Sequence, residues 1–192
     1  MVYRIIKFLV KVYLSIFYRV KINGLENLPE GAFMLCSNHI SNFDPVVYVA
    51  FFKRKIYFLG KAELFKNPIL KYLLTQFGMI PIKRGQADMM AIKSAISVLN
   101  RGEILGIFPS GTRNKTVEKG QAKSGAALIG ARCGCKAVPV SIMSTYKPFS
   151  KVVINIGKPI DLAEYKGKKL SADELQSVAD GVYDEIVELA NK

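Results

Sequence analysis

The sequence contains a single histidine, His39, and few of the other residues that build metal or nucleophilic centres. Its three cysteines form no C-x-x-C pair, so with one histidine they do not supply the ligands of a usual zinc site, and we expect no metal. We interpret all three as reduced, buried thiols of a cytosolic protein. The motifs G-x-S-x-G and G-x4-G-K-[ST] are also absent, so the sequence offers one imidazole base and no evident activated nucleophile.

Negative charge is scarce as well. The 192 residues carry 15 Asp and Glu against 28 Lys and Arg, which gives a formal net charge of +13. Hydrophobic residues make up 50% of the chain, and the mean hydropathy is +0.19. The length predicts one domain with a core of useful size. A basic and apolar chain predicts an anionic partner, such as a membrane surface, a phosphorylated substrate or nucleic acid.

An uninterrupted apolar run of membrane-spanning length is missing, although the first 20 residues come close. As a helix they would be about 30 Å long, but the four charges within them disfavour a membrane span, and no small-residue cleavage site marks a signal peptide. At about 100° per residue, the polar side chains fall on one arc of roughly 120° and the rest of the circumference is mostly apolar. The polar arc consists of Arg4, Lys7, Lys11, Ser15, Tyr18 and Arg19.

This pattern predicts an amphipathic helix at the membrane interface over residues 1–20. Its apolar face would enter the acyl boundary, while its Lys and Arg side chains would lie at the headgroups. The alternative is an ordinary amphipathic helix that packs on the domain formed by residues 21–192.

The remaining chain alternates between short apolar runs and segments with helical periodicity, which predicts an α/β fold. We expect a single domain with a mixed, mostly parallel sheet flanked by helices. The predicted strands are 20–25, 32–36, 56–59, 79–82, 104–108, 137–143 and 152–156. The predicted helices are 45–52, 62–77 with an interruption at Pro68, 87–99, 126–133 and a capped helix at 171–190.

His39 follows the strand predicted at 32–36 and precedes Asp44 by five residues, in a stretch that contains turn residues. If the chain turns here, Asp44 can accept a hydrogen bond from one ring nitrogen and leave the other free as a base. This is the base-and-orienter half of a catalytic triad. The alternative is a structural role, in which His39 caps a turn or pairs with Asp44 without doing chemistry.

Two further loops that follow predicted strands carry cations, Lys83-Arg84 and Gly111-Thr112-Arg113. Loops at the carboxyl ends of strands can converge at one edge of a sheet. Arginine presents a planar fork to phosphate oxygens, and Gly111 lets backbone N–H groups approach closely. Together with the imidazole, this set fits removal of a proton from a hydroxyl of a phosphate-bearing substrate. Direct attack of that hydroxyl on an acyl donor is the simplest chemistry.

Several short motifs in a fixed order resemble those of the glycerolipid acyltransferase family, specifically the bacterial 1-acylglycerol-3-phosphate acyltransferases. The H-x4-D spacing alone is common by chance, whereas the ordered set is specific. The motifs are N-H-x4-D at 38–44, G-x-I-x-I-x-R at 78–84, F-P-x-G-T-R at 108–113 and V-P-V at 138–140, with the less specific K-x-G at 123–125 and I-G-x-P-I at 156–160.

The resemblance implies roles for the residues that match these motifs. His39 would be the general base on the acceptor hydroxyl, Asp44 would fix its tautomer, and the alkoxide would attack the thioester of acyl-CoA or acyl-carrier protein. Arg84 and Arg113 would hold the substrate phosphate. No cofactor is expected beyond the acyl co-substrate. The other substrate-binding candidates are Asn38, Lys83, Ser110, Gly111, Thr112 and Lys123.

One position departs from the family pattern, because Ser110 precedes G-T-R where the family usually has Glu. The acceptor therefore stays open between 1-acylglycerol-3-phosphate, which would give phosphatidate, and glycerol-3-phosphate or another lysolipid. Two further alternatives are a thioester or ester hydrolase, with Ser110 as nucleophile and His39 as base, and a non-catalytic module that binds anionic lipid. The lysine-rich loop can also be a solvated basic face.

The resemblance and the N-terminal helix together predict the cellular context. We expect peripheral attachment to an anionic membrane surface on its cytoplasmic face. No RNA-stacking motif is present in the sequence, so we expect no nucleic-acid partner.

Overall fold

A computed structural model describes residues 2–82 and 89–192. Within these ranges, helices cover both faces of an eight-stranded sheet. The helices are α1 (Val2–Phe17), α2 (Asp44–Phe51), α3 (Pro68–Gln76), α4 (Met89–Asn100), α5 (Gly125–Cys133) and α6 (Ala172–Ala190). The strands are β1 (Arg19–Asn23), β2 (Phe33–Ser37), β3 (Ile56–Lys61), β4 (Met79–Ile82), β5 (Ile104–Ile107), β6 (Lys136–Ser144), β7 (Lys151–Ile156) and β8 (Ile160–Asp161).

The sheet is mixed and mostly parallel, as the sequence predicted. Its strand order is β1-β7-β6-β2-β5-β3-β4, and β8 pairs with β6. Strands β6, β2, β5, β3 and β4 run parallel to one another, whereas β7 is antiparallel to β6. The carboxyl ends of the neighbouring strands β2 and β5 therefore lie at the same edge, and the loops that follow them start side by side.

The central strands send alternate side chains into two apolar layers. In β2, Phe33 and Leu35 belong to the layer that includes residues of α1 and α2. Met34 and Cys36 belong to the layer formed with α4, α5 and α6. Because both faces are covered, β2 is buried at every position, which explains why Phe33 to Cys36 are continuously apolar rather than alternating.

Helix α5 lies close to the sheet because its residues are small. A Cβ atom at Gly130 would lie 2.5 Å from Leu162 Cδ1 and 2.6 Å from Met34 Cε, so any larger residue would force these side chains to move. The absence of a side chain at Gly130 therefore allows α5 to pack closely on the sheet at this position.

The helix predicted over 62–77 consists of two parts in the structure. Ala62–Phe65 forms a 3-10 turn, and α3 begins separately at Pro68. Proline is favourable at the first position of a helix, because an N–H group there would have no intrahelical acceptor. The Asn67 side chain caps α3 by accepting hydrogen bonds of 2.9 and 3.0 Å from two N–H groups of its first turn.

Helix α1 packs on the domain with part of its polar side turned inward. Leu14 is buried, and Lys7 Nζ donates to the carbonyl oxygens of Phe52 and Lys53, where α2 ends. The free carbonyls at a helix end attract a cation, which accounts for this contact. Lys7 therefore faces the protein, and the expectation that all basic residues of this helix point to headgroups does not hold for it.

The other side of α1 is apolar and exposed. Phe8 and Ile16 keep 64% and 62% of their surface accessible. In the parts of the chain that the structure describes, no helix combines the length and the hydropathy needed to cross a bilayer. The exposed large apolar residues of α1 are Val2, Ile5, Phe8, Leu9, Val12, Tyr13 and Ile16.

Candidate active site

The hydrogen bond predicted between His39 and Asp44 is present in the structure. His39 Nδ1 lies 2.7 Å from Asp44 Oδ2. The same oxygen accepts from the backbone N–H groups of Ile40 and Ser41 at 2.7 and 2.8 Å. Asp44 is the first residue of α2, and its side chain is completely buried. The N-terminus of a helix carries a partial positive charge, so this position suits an acidic side chain.

The turn that carries His39 is tied to the neighbouring strand β6 by Asn38. This buried amide accepts from Ile142 N at 2.8 Å and donates to Ile142 O at 2.9 Å. Both ends of the amide are thereby used on the backbone. Asn38 fixes the point at which the chain leaves β2, directly before the histidine.

The imidazole ring is held on its face by aromatic stacking. His39 stacks on Phe108 with ring centroids 4.0 Å apart and planes inclined by 16°. Phe108 stacks in turn on Phe58, at 5.6 Å and 15°. The ring is therefore fixed by a hydrogen bond at one edge and by a stack on one face, which defines where its free nitrogen lies.

The loop after β5 is attached to the histidine turn. Asn114 N donates to His39 O at 2.8 Å, and Lys123 N donates to Pro109 O at 3.0 Å. Gly111 has φ +67, and a Cβ atom there would lie 3.4 to 3.7 Å from the outer atoms of the Lys123 side chain. These contacts bring the predicted cationic loop and the predicted base to one site.

A cavity of about 840 Å³ opens at this site. Its apolar part extends between β3, β4 and α3. Five residues predicted from the sequence line the cavity, namely His39, Gly111, Thr112, Arg113 and Lys123. The apolar wall includes Leu59, Leu64, Leu74, Phe77, Met79 and Ile82.

Three other predicted residues that the structure describes do not line this cavity. Asp44 and Asn38 lie buried behind His39, and Ser110 is buried with its hydroxyl donating to Thr112 O at 2.8 Å. Lys83 and Arg84 lie outside the described residues, as does the start of the helix predicted at 87–99.

The sequence interpretation missed Tyr146, whose hydroxyl donates to Asp44 Oδ1 at 2.7 Å. It lies 102 residues from Asp44, and no motif marks it. Burial, followed by the nearby charge of Asp44, raises the pKa of the Tyr146 hydroxyl far above its usual value. Tyr146 therefore remains a protonated donor to the carboxylate at neutral pH.

Comparison with known proteins confirms the resemblance that the motifs indicated. A profile of the family described as Acyltransferase matches residues 19–143. A 1-acyl-sn-glycerol-3-phosphate acyltransferase of Bacillus subtilis is 32% identical over 189 residues, which cover 95% of this chain and 94% of the relative. The chloroplastic 1-acyl-sn-glycerol-3-phosphate acyltransferase LPAT1 of Arabidopsis thaliana is 32% identical over 148 residues.

The fold is also similar to that of a solved structure. The crystal structure of the 1-acyl-sn-glycerophosphate acyltransferase PlsC from Thermotoga maritima superposes with a TM-score of 0.76 and 27% identity. The match covers 99% of this chain and 80% of the other. The match with LPAT1 covers 73% of this chain but only 41% of that relative, so the chain spans well under half of the chloroplastic protein.

Proposed function

We propose, from the premise that this chain belongs to the acyltransferase family, that it transfers a fatty acyl group to the free hydroxyl of 1-acylglycerol-3-phosphate and so makes phosphatidate. The donor in this proposal is a thioester, either acyl-CoA or acyl-carrier protein. The observation that supports it most directly is the cavity that His39 shares with Arg113 and Lys123. The names of the similar proteins suggest the acceptor.

His39 acts as the general base in this proposal. Because Nδ1 donates to Asp44, Nε2 is the nitrogen free to take the proton of the acceptor hydroxyl. The hydroxyl oxygen then attacks the thioester carbonyl carbon, the C–S bond breaks, and the departing thiolate takes the proton from Nε2. Asp44 stabilises the imidazolium while it exists, and no covalent bond to the protein forms.

The acceptor phosphate binds at the cationic end of the cavity. Arg113 and Lys123 both line it, and so does Gly125, the first residue of α5. Within the part of the chain that the structure describes, the preceding Ser124 makes no side-chain cap, so the N–H groups of the first turn suit an anion. Two cations and a helix N-terminus together suit a phosphate, and Arg84 is the further cation that the family motif supplies in the segment outside the described residues.

The fatty acyl chain occupies the apolar part of the cavity. A volume of about 840 Å³ lies in the upper part of the roughly 300–1,000 Å³ range usual for ligand sites. Leu64 and Leu74 form part of its wall, and both belong to the segment that contains α3. This segment thus forms one wall of the proposed acyl site.

The protein works at the surface of an anionic membrane, on the cytoplasmic face, without crossing it. The outward apolar side of α1 would enter the acyl boundary. Helix α3 offers a second apolar surface, since none of its nine residues is buried and Ile69 keeps 72% of its surface accessible. The net charge of +13 favours an anionic leaflet.

The proposal is tested with purified protein, labelled acyl-CoA or acyl-carrier protein, and a panel of acceptors. We expect labelled phosphatidate that depends on 1-acylglycerol-3-phosphate. If glycerol-3-phosphate or another lysolipid is acylated instead, the proposed acceptor is wrong. The panel includes these acceptors because Ser110 departs from the family pattern. Free fatty acid formed without an acceptor would indicate a hydrolase. Vesicle binding without turnover of any donor and acceptor pair would contradict an enzymatic role.

A further inference from the structure

The carboxylate of Asp44 is surrounded by four protein donors. Oδ2 accepts from His39 and from two backbone N–H groups. Oδ1 accepts from Tyr146, which among the described residues is its one recorded donor. A carboxylate has about four acceptor positions, so the protein itself satisfies this buried group. The Tyr146 hydroxyl therefore holds Oδ1, the carboxylate oxygen that does not contact His39.

Tyr146 occupies an unusual backbone conformation. It lies in the loop between β6 and β7 with φ 51, in the left-handed region that non-glycine residues rarely adopt. Such conformations persist where the surroundings over-determine them, and they are enriched at functional sites. Its backbone N–H donates to Ser144 Oγ at 3.0 Å, which is one of the contacts that hold the turn.

Aromatic contacts from two other segments fix the Tyr146 ring. Phe43, which directly precedes Asp44, stacks on it with a centroid distance of 5.8 Å. Tyr18, directly after α1, meets it edge-on at 6.0 Å. The loop is also bound to the end of α1, because Phe149 N donates to Phe17 O at 2.7 Å. The hydroxyl position is therefore set by the junction of α1, the β6–β7 loop and the histidine turn.

We propose that Tyr146 is a positioning residue for acyl transfer, which acts through Asp44 by holding Oδ2 toward His39 Nδ1. The catalytic consequence rests on the proposed function, but the structural claim does not. Without the hydroxyl, Oδ1 of a completely buried carboxylate would lose its donor. The carboxylate could then turn about its Cβ–Cγ bond to find another, and the His39 tautomer that leaves Nε2 free would no longer be favoured.

The raised pKa of Tyr146 fits this role. Burial, followed by the charge of Asp44, keeps the phenol protonated, so it donates a hydrogen bond through the whole reaction cycle. When His39 becomes an imidazolium, this fixed neutral donor on Oδ1 keeps Oδ2 of Asp44 directed at the ring.

The single histidine allows a direct test, because a protein labelled with ring-15N histidine gives the signals of His39 alone. In the wild-type protein we expect the neutral ring to carry its proton on Nδ1. Tyr146→Phe keeps the ring and removes only the hydroxyl, and we expect it to shift the His39 nitrogen signals toward a tautomer mixture. Tyr18→Phe is the matched control: it keeps the ring, and among the described residues the lost hydroxyl has one hydrogen-bond partner, the carbonyl oxygen of Tyr146 at 3.5 Å.

The kinetic test uses the same two variants. Since Tyr146→Phe removes a hydrogen bond to a charged carboxylate, which orients His39 less firmly without it, we expect kcat to fall by about ten-fold. The KM values should change by less than about two-fold, because the hydroxyl does not contact substrate. Tyr18→Phe should match the wild type in both measurements.

Asp44→Ala examines the same link from the other side. In that background, removing the Tyr146 hydroxyl should leave the His39 signals unchanged, because the acceptor of that hydroxyl is already gone. His39 signals that are identical in wild type and Tyr146→Phe would overturn the proposal. If the His39 signals shift as expected but no acyl transfer occurs in any variant, the proposed function fails and the positioning contact stands.

Discussion

One added methyl group at Gly106 tests how tightly His39, the proposed base, is held. Gly106 lies on β5 opposite Phe58 of β3, and a Cβ atom there would lie 2.2 Å from the Phe58 ring. Carbon atoms in contact are normally about 3.5–4.0 Å apart, so the ring must move by more than about 1 Å. Phe58 stacks on Phe108, and Phe108 stacks on His39. The displacement is therefore transmitted to the imidazole.

Gly106→Ala is expected to lower both stability and turnover. Overfilling a packed core costs about 1–3 kcal/mol, which for a domain of this size corresponds to about 2–4 °C in Tm for each kcal/mol. A displacement of about 1 Å at the reacting groups can cost on the order of 10²-fold in rate. The measurements are thermal unfolding and the initial rate of phosphatidate formation at saturating donor and acceptor.

Gly181→Ala provides the matched control. Gly181 lies within α6, and nothing lies within 4 Å of an added Cβ atom. Alanine there should raise stability by up to about 1 kcal/mol, because it is the better helix former, and should leave turnover unchanged. A Gly106→Ala protein that keeps both the wild-type Tm and the wild-type rate would refute the inference that the aromatic stack positions His39.

Three further predictions concern the proposed phosphate site, the thiols of Cys36 and Cys135, and the membrane. Arg113→Gln should raise the KM for 1-acylglycerol-3-phosphate by about ten-fold, through loss of a charge-assisted hydrogen bond, while the donor KM stays near its wild-type value; equal effects on both would contradict a phosphate role. Burial raises the pKa values of the Cys36 and Cys135 thiols to about 12 from a usual 9.0. Between pH 9.0 and 12, both thiols should therefore stay neutral in the folded protein while those of the unfolded chain ionise. The free energy of unfolding should not be affected by these thiols below pH 9.0, and it should decrease as the pH rises from 9.0 toward 12. Urea unfolding at about pH 8 and about pH 10 should show a loss on the order of 1 kcal/mol for each thiol, and a constant value would be contrary to this account. Phe8→Asp should weaken sedimentation with anionic vesicles, whereas the control Ala163→Asp, which adds the same charge at an exposed site away from α1, should not; equal losses would indicate a simple charge effect.

Local patterns predicted the elements of this fold well because their physical causes are local. Strand β2 was recognisable as a buried apolar run, and the capped end of α6 followed from Ser171 and Glu174, which form the expected reciprocal hydrogen bonds. The pairing of His39 with Asp44 was also predictable, since only five residues separate them and a turn closes that distance.

Contacts between distant segments could not be predicted in this way. Asn38 meets Ile142 across 104 residues, and Tyr146 meets Asp44 across 102. Both depend on β6 lying next to β2, and the sequence does not specify that strand order. The orientation of α1 was equally open, because periodicity separates a polar from an apolar face without indicating which one the domain covers. The structure shows that the domain covers part of the polar face, since Lys7 contacts the end of α2.

The most direct test of the central claim is phosphatidate formation by a His39→Gln variant. Glutamine can still donate a hydrogen bond to Asp44 but cannot act as a base near neutral pH. With acyl-CoA or acyl-carrier protein and 1-acylglycerol-3-phosphate, we expect the rate to fall by at least about 10²–10⁴-fold, while the Tm and vesicle binding stay close to those of the wild type. A folded His39→Gln protein that forms phosphatidate at the wild-type rate would contradict the assignment of His39 as the base.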